Sequence, residues 1–233
     1  MIETKLISRA VLFGNPDRAS VKLSPDGKRI SYLAPDDGYM NVFVAPADRL
    51  EEATAVTHDQ VRGIRMYAWA HDNRHLLYMQ DDGGDENWNV FVVDLETGES
   101  RNLTPFKEIA AHISGSSMDY PGEILLSINN RDPQLHDLYR VELATGELAL
   151  VEENTEGFAG YVSDTALLPR VAMRMDEEGG EEVFRKGSDG WEQIGYVPSD
   201  DGLTTHPHGF KGASNIMYWT DSRDRNTGRL WST

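Results

Sequence analysis

The sequence of 233 residues contains no cysteine. Disulfide bonds, zinc–thiolate sites and cysteine nucleophiles are therefore excluded together. No apolar run approaches the ~18 residues that a membrane-spanning helix requires. Residues 1–9 also lack the apolar stretch of a signal peptide, and the initial Met1 favours an intact start. We therefore expect a cytoplasmic protein in a reducing compartment.

Basic residues are scarce relative to acidic ones. Lys and Arg number 22 against 39 Asp and Glu, which gives a net charge of −17. Phosphate backbones and anionic lipids repel such a chain. We therefore expect neither a nucleic-acid partner nor a membrane partner, and we interpret the charge mainly as a source of solubility.

A repeated unit is the most informative feature that is present. The sequence Asp-Leu-Glu-Thr-Gly-Glu at residues 94–99 returns as Glu-Leu-Ala-Thr-Gly-Glu at residues 142–147, so that Gly146 follows Gly98 by 48 residues. Short apolar runs recur with a similar spacing at residues 30–32, 76–78, 124–126, 171–173 and 216–218. Repeats of ~40–50 residues with four short strands are typical of β-propeller blades. The sequence therefore predicts an all-β fold, a β-propeller of four-stranded blades.

The spacing divides the chain into a lead-in and about four and a half blades. Residues 1–18 form the lead-in, where Leu6, Ile7, Val11 and Leu12 have helical spacing and Asn15-Pro16 ends it. The blades are predicted at residues 19–58, 63–106, 107–154, 155–198 and 203–233. The fifth blade lacks its outer strand, so we expect an incomplete propeller that is a fragment of a longer one.

Three segments resemble a known family. Residues 19–29, which include Ser-Pro-Asp-Gly, and residues 67–78 resemble the opening blades of the prolyl oligopeptidase (S9) family of serine peptidases. Residues 84–95 resemble the matching third strand in its acylaminoacyl-peptidase and dipeptidyl-peptidase branch. The resemblance implies an N-terminal propeller that admits only short peptides to a C-terminal α/β-hydrolase domain. That domain, which carries the catalytic triad in this family, is absent from this chain.

Catalytic residues are not expected within the chain. The nucleophile elbow Gly-x-Ser-x-Gly cannot occur, because no two glycines stand four residues apart. Ser116 and Ser117 lie near His112 and Asp119, but all four fall on one connection of the third blade. A catalytic triad is recognised by geometry and not by proximity in sequence. We expect no catalytic residue and no cofactor.

Four residues are candidates for facing a substrate. Arg62 and Arg65 precede the inner strand of the second blade, where they could meet a substrate carboxylate in the axial tunnel; alternatively, they offset nearby carboxylates. Glu86 and Trp88 are the other two candidates. Their alternative role is to tie adjacent blades together through hydrogen bonds and ring packing. The five tryptophans of the chain are expected to pack between blades.

Two clusters raise the question of a metal ion. The carboxylate-rich residues 81–86 could bind Ca²⁺, although their spacing differs from an EF-hand loop and a solvated hairpin tip is the simpler interpretation. His206-Pro207-His208 could form a metal pair with Asp200 and Asp201. Because Pro207 is poorly suited to a paired strand, we expect loop histidines instead. We therefore predict no metal site.

An alternative function remains open. A non-enzymatic propeller of the TolB or WD40 kind, acting as a platform for protein interactions, would share the repeat and the Ser-Pro-Asp-Gly turn. A propeller glycosidase is a third possibility, and it would require two carboxylates that face the tunnel.

Overall fold

The computed structural model describes residues 7–14 and 17–233. A short helix, α1 (Arg9–Phe13), precedes a series of short strands. The predicted helix is confirmed for Val11 and Leu12, whereas Leu6, Asn15 and Pro16 lie outside the described residues. None of the helices in the described ranges has the length and apolar character needed to cross a bilayer.

The strands form five separate sheets. The first sheet contains β1 (Ala19–Leu23), β2 (Arg29–Asp36), β3 (Tyr39–Pro46) and β4 (Thr54–Ala55). The second contains β5 (Tyr67–Trp69), β6 (His75–Gln80), β7 (Asn89–Asp94) and β8 (Ser100–Asn102). The third contains β9 (Ala111–Ser117), β10 (Tyr120–Asp132), β11 (Leu135–Glu142) and β12 (Leu148–Glu152). The fourth contains β13 (Gly160–Ser163), β14 (Pro169–Met175), β15 (Glu181–Gly187) and β16 (Gly190–Val197). The fifth contains β17 (His206–Phe210), β18 (Met217–Asp221) and β19 (Arg229–Ser232).

Each sheet is an antiparallel meander in which every strand pairs with the next along the chain. Four sheets have four strands, and the described residues supply three strands to the fifth. We call these sheets blades 1 to 5. The architecture is an incomplete β-propeller, which confirms the predicted fold class.

Both faces of the central strands are apolar because each blade lies between two neighbours. On β10, Leu126 packs with residues of blade 2, whereas the adjacent Leu125 packs with Leu167 of blade 4. On β6, Leu76 faces blade 1 and Leu77 faces blade 3. Successive side chains of a strand point to opposite faces of the sheet. A strand buried on both faces therefore has a continuous apolar run and not an alternating one.

The core is consequently divided into layers between blades. One cluster joins blades 1 and 2, another joins blades 2 and 3, and a third joins blades 4 and 5. Blades 3 and 4 share two smaller clusters, one of them built from Phe158, Tyr161, Phe184 and Trp191. Complete burial of a large apolar side chain contributes about 1.5–3 kcal/mol, so each blade depends on its neighbours for stability.

The two turns that revealed the repeat have the same geometry. The Gly98 N–H donates to the Asp94 carbonyl at 2.8 Å, and the Gly146 N–H donates to the Glu142 carbonyl at 2.7 Å. Both glycines have a φ of +75°, a conformation that costs a residue with a Cβ about 1–2 kcal/mol. The 48-residue repeat therefore reflects one hairpin geometry used twice.

Gly63 serves a different purpose, because it allows two blades to approach closely. It precedes Ile64, whose N–H donates to the Met40 carbonyl of blade 1 at 2.6 Å. A Cβ on Gly63 would lie 2.7 Å from the Met40 backbone nitrogen, and its φ is +76°. Any side chain at this position would push the loop before β5 away from blade 1.

We predict that Gly63→Ala destabilises the chain by at least about 1 kcal/mol more than Gly98→Ala. Both glycines have nearly the same positive φ, so both substitutions carry the same backbone strain. A Cβ on Gly98 would meet nothing within 4 Å, whereas one on Gly63 would meet backbone. Denaturant unfolding monitored by tryptophan fluorescence measures the difference. Equal losses for the two variants would contradict the close approach.

Candidate functional site

The inner strands of blades 3, 4 and 5 form a continuous surface, which we call the inner wall. It consists of β9, β13 and β17, and β13 contacts the other two strands. A cavity of about 540 Å³ lies along the inner wall. Its lining includes Ser114, Ser116, Tyr161, Ser163, Asp164, Glu181, His206 and His208. The cavity thus has a largely polar lining that comes from three blades.

Hydroxyl groups on the inner wall are held by hydrogen bonds. The Ser114 and Ser127 Oγ atoms lie 2.5 Å apart, which fixes Ser114 against the second strand of its own blade. Ser116 Oγ lies 3.2 Å from Nε2 of His71, a residue in a turn of blade 2. These contacts hold the serines in fixed orientations on the cavity surface.

His206 and His208 lie on a paired strand, so the predicted loop histidines are wrong. His206 pairs with Thr220 and Pro207 pairs with Trp219, with a register irregularity between Pro207 and Gly209. Within the described ranges β17 pairs only with β18, and an edge strand tolerates proline because its missing N–H need not face a partner. The two imidazole rings are 4.6 Å apart between centroids, at an interplanar angle of 71°.

Asp200 and Asp201, the proposed carboxylate ligands, lie in a 3₁₀ turn before β17. The Asp201 carboxylate accepts a hydrogen bond from the Ser222 hydroxyl at 3.0 Å. Within residues 7–14 and 17–233, no group of three or more His, Asp or Glu side chains is arranged to hold a metal ion. The histidine pair therefore contributes hydrogen-bonding groups to the cavity.

Two further titratable groups line the cavity. Partial burial raises the pKa of the Glu181 carboxyl above that of a free glutamate. Burial likewise raises the pKa of the Tyr161 phenol, whose oxygen has no hydrogen-bond partner among the described residues. In both groups burial disfavours the charged form.

Arg62 and Glu86, two of the four substrate-facing candidates, meet at one carboxylate. Arg62 Nη1 lies 2.6 Å from Asp81 Oδ2, and the backbone N–H of Glu86 donates to the same oxygen at 3.3 Å. The Asp81 side chain is only 2% exposed. Arg62 therefore offsets a buried carboxylate, which is the alternative role that the sequence left open.

Arg65 and Trp88 have different surroundings. Arg65 is exposed and forms no ion pair with any residue that the structure describes. The Trp88 carbonyl accepts a hydrogen bond from the N–H of Ala111, the first residue of β9, at 2.8 Å. Trp88 thus joins a hairpin of blade 2 to blade 3, whereas Arg65 remains accessible at the start of β5.

The carboxylate-rich hairpin differs from a simple solvated tip. Asp82, Asp85 and Glu86 are exposed, but Asp81 is buried against Arg62. Asp85 Oδ1 accepts the backbone N–H groups of Asp82 and Asn87 at 3.1 and 3.0 Å. A hydrogen bond from the Asn87 side chain to Asp85 Oδ2, and then these backbone donors, lower the pKa of the Asp85 carboxyl. The Asp85 carboxylate therefore stabilises its own turn.

Asp59 organises the same end of blade 2, and no local sequence pattern indicates this role. Its Oδ2 accepts the backbone N–H groups of Val61, Arg62 and Gly63, and its Oδ1 accepts Gln80 Nε2 at 2.8 Å. Burial alone would raise the pKa of this carboxyl, but the four donors together lower it. Asp59 thereby fixes the loop that carries Arg62 and Arg65.

The four residues that suggested a triad are not arranged as one. Ser117 Oγ donates to the Thr165 carbonyl at 2.6 Å and accepts the Asp119 N–H at 3.1 Å. His112 instead faces His136, with 5.2 Å between ring centroids. Burial, and then the neighbouring His136, lower the pKa of His112. The serine, the imidazole and the carboxylate thus have separate structural partners.

Comparison with known proteins adds a close relative. No protein-family model matches the chain. The chain is 46% identical over 230 residues to dipeptidyl aminopeptidase BIII of Pseudoxanthomonas mexicana. The match covers 98% of this chain and 33% of that protein. The chain therefore spans about a third of the length of this relative.

Solved structures support the fold. Prolyl oligopeptidase B from Galerina marginata superposes with a TM-score of 0.60 at 15% identity, covering 97% of this chain and 35% of that chain. The β-propeller domain of the Trilobed protease from Pyrococcus furiosus superposes with a TM-score of 0.56 at 17% identity, covering 93% and 67%. These likenesses establish the propeller architecture.

The match to this relative extends through nearly the whole chain. It therefore includes residues 67–95, which carry the most specific part of the family resemblance. Sequence and architecture agree with the family resemblance: the chain is an incomplete β-propeller, and it is similar in sequence to about a third of a dipeptidyl aminopeptidase.

Proposed function

We propose that this chain forms part of the wall through which a serine peptidase admits short peptides to its catalytic centre. The cavity of about 540 Å³ along β9, β13 and β17 is the observation that carries this proposal. Its serine hydroxyls, imidazoles and the Glu181 carboxyl can hydrogen-bond to an extended peptide, whose backbone offers both donors and acceptors. The chain binds and selects substrate, and the chemistry takes place elsewhere in the protein.

The partner that this proposal requires is a C-terminal α/β-hydrolase domain. The similarity to a dipeptidyl aminopeptidase about three times as long as the matched region supports it. The substrates would be short peptides, which the full-length protein hydrolyses at their N-terminal side. A cytoplasmic location is part of the proposal, and the absence of cysteine is compatible with it.

We further propose that Arg65 is the substrate-facing member of the four candidates. Arg62 is held by Asp81, Glu86 contributes its backbone N–H to the same carboxylate, and Trp88 connects two blades. Arg65 is exposed and lies two residues before β5, the inner strand of blade 2. Its guanidinium can form a charge-assisted hydrogen bond with the C-terminal carboxylate of a peptide.

The first functional prediction concerns the location of the nucleophile. A fluorophosphonate probe should label one serine in the full-length protein and none in residues 1–233, because this chain has no Gly-x-Ser-x-Gly. Mass spectrometry of the labelled protein identifies the site. Labelling within residues 1–233 would refute the division of roles. A full-length protein that is never labelled and hydrolyses no peptide would instead support the interaction-platform alternative.

The second functional prediction concerns Arg65. In the full-length protein, Arg65→Ala should raise KM about threefold to tenfold for peptides with a free C-terminal carboxylate, which corresponds to the loss of about 0.7–1.4 kcal/mol expected for one solvent-accessible hydrogen bond. KM for the corresponding C-terminal amides should not change. Lys28→Ala is the control, because Lys28 is 81% exposed on a turn of blade 1. Equal effects of Arg65→Ala on acids and amides would rule out carboxylate recognition.

The third functional prediction tests the charge state of the cavity. Because burial raises the pKa of Glu181 from its reference value of 4.5, the stability that this group supplies is complete below pH 4.5. That stability is lost as the pH rises through the folded-state pKa. Glu181→Gln should therefore raise the melting temperature at pH 7, and the difference should vanish near pH 4.

Glu182→Gln is the matched control for this measurement. Its carboxylate accepts a hydrogen bond from Arg174 Nε at 2.8 Å, so the substitution should lower the melting temperature at pH 7. Thermal unfolding between pH 4 and pH 8 measures both variants. A lower melting temperature for Glu181→Gln at pH 7 would show that the Glu181 carboxylate has a stabilising partner.

A further inference from the structure

A carboxylate without a partner lies in the cavity along the inner wall. Glu181 is the first residue of β15, it lines that cavity, and its side chain is partly buried. Among residues 7–14 and 17–233 the carboxylate has neither an ion pair nor a hydrogen-bond donor, and burial is the sole cause of its raised pKa. Because partial burial of an unpaired charge is unfavourable, Glu181 is a group that gains from meeting a cation.

The surroundings of Glu181 are set by blades 4 and 5, which both belong to the described part of the chain. In the register of β14 and β15, Glu181 is opposite Met175 and Val183 is opposite Met173. Val183 and Met173 pack in the cluster shared with blade 5. Since alternate residues of a strand point to the same face, Glu181 also faces blade 5, and the cavity that it lines follows the inner strands of both blades.

The other groups that line the cavity do not compensate Glu181. In the described ranges, the lining contains neither lysine nor arginine. Asp164, the second carboxylate of the lining, is already held by Arg170 Nη1 at 2.9 Å, and its side chain is only 4% exposed. His208 shares a hydrogen bond with the Thr220 hydroxyl. The cavity is therefore left with one uncompensated carboxylate.

An apolar stretch of the cavity surface adjoins this carboxylate. Val162 on β13 and Met173 on β14 both line the cavity and pack on the cluster between blades 4 and 5. Glu181 is two positions from Val183, which is directly opposite Met173, so Glu181 and Met173 are diagonal neighbours on one face. A lysine or arginine side chain likewise consists of methylene groups followed by a terminal cation. The surface is therefore complementary to a basic side chain.

We propose that Glu181 is a specificity-determining residue that binds the side-chain cation of a lysine or arginine in the peptide substrate. This role rests on the proposed function, because it names the class of peptide that the inner wall selects. The aliphatic stem of the basic residue lies along Met173 and Val162, and its cation donates a charge-assisted hydrogen bond to the Glu181 carboxylate. Binding thereby supplies the partner that this partly buried charge lacks.

The apolar stretch distinguishes a side-chain cation from the amino group at the start of a peptide. Every unblocked peptide has that amino group, which is attached directly to the backbone and carries no methylene stem. Contact with Met173 and Val162 is available only to a long side chain. The selection is therefore expected between peptides that differ in one side chain and share the same amino terminus.

The full-length protein tests this assignment with matched pairs of peptides. Each pair is an alanine-based hexapeptide with either lysine or norleucine at one position, and that position is moved along the peptide. Norleucine has the aliphatic stem of lysine without the ammonium group. At one position, kcat/KM for the lysine peptide should exceed that for the norleucine peptide at least about tenfold, as expected for a partly buried charged hydrogen bond. Arginine and citrulline form a second pair of the same design.

Two substitutions of Glu181 should change this preference differently. Glu181→Gln keeps the size of the side chain and removes its charge, so it should reduce the lysine-to-norleucine ratio to about one. Glu181→Lys places a cation in the cavity, so it should disfavour the lysine peptide and favour a glutamate peptide at the same position. Because each ratio compares two peptides on the same variant, a general loss of stability or activity cancels out of it.

Glu182→Gln is the matched control, with the same change of charge one residue away. Glu182 points to the opposite face of β15, and its carboxylate accepts a hydrogen bond from Arg174 Nε at 2.8 Å. This variant should keep the lysine-to-norleucine ratio of the unchanged protein. The kinetics are measured below the melting temperatures of all the variants.

Several results would overturn the assignment. A full-length protein that cleaves both peptides of every pair equally well, or a Glu181→Gln variant that keeps the preference, would overturn it and leave the proposed function intact. An equal loss of kcat/KM for the lysine and norleucine peptides in Glu181→Gln would show that Glu181 binds a part that the peptides share, such as the amino terminus. An equal reduction of the ratio by Glu182→Gln would assign the preference to the general acidity of the wall. A full-length protein that hydrolyses no peptide would overturn both the proposed function and the role of Glu181.

Discussion

Burial of apolar surface between adjacent blades is the constraint on which the rest of this structure depends. The two faces of β10 carry Leu125 and Leu126, which belong to different inter-blade clusters. A single sheet of this kind cannot bury both of its faces by itself. Stability in such arrays is therefore approximately a sum of terms for single blades and terms for nearest-neighbour interfaces. The core is therefore a series of apolar interfaces between blades and not one central cluster.

This arrangement determines where polar chemistry can lie. Most side chains between blades are apolar or hydrogen-bonded, and Tyr67, for example, shares its hydroxyl with Ser31 and with the Ser20 carbonyl across blades 1 and 2. Groups that must meet a ligand are left with the inner strands and the loops at the ends of the blades. The serines and histidines of the inner wall, and Glu181 at the start of β15, follow from this exclusion.

The sequence predicts the parts of the fold that local chemistry controls. Gly98 and Gly146 mark equivalent turns because a left-handed residue is required there, and paired apolar runs mark strands buried on both faces. Residues that act through distant partners give no such signal. From the sequence, Asp59 looks like an ordinary acidic loop residue. Its carboxylate nevertheless accepts hydrogen bonds from three backbone N–H groups and from a glutamine 21 residues away.

Pro207 shows why a correct local rule can still fail. Proline is unsuited to the middle of a sheet, and a loop followed from that rule. The position of β17 at the inner edge removes the conflict, since one side of the strand needs no partner. Whether a strand lies at the edge or in the centre of its sheet depends on the whole blade. The sequence around Pro207 does not contain that information. The burial of Asp81 is equally non-local, because its partner Arg62 precedes it by 19 residues.

Electrostatics follows the same division between the interior and the surface. Several of the scarce cations are committed to buried carboxylates: Arg62 to Asp81, Arg131 to Asp137 and Arg170 to Asp164, whose side chains are 2%, 1% and 4% exposed. Removing one partner of such a pair would leave an uncompensated buried charge.

The acidic excess is consequently concentrated on the exterior, where it repels other copies of the chain. This repulsion acts over a Debye length of about 8–10 Å at physiological salt. It discourages association between large, equally charged bodies. The paired carboxylates and the exposed ones therefore act differently: the buried pairs hold loops and strands together, whereas the exterior charge keeps copies of the chain apart.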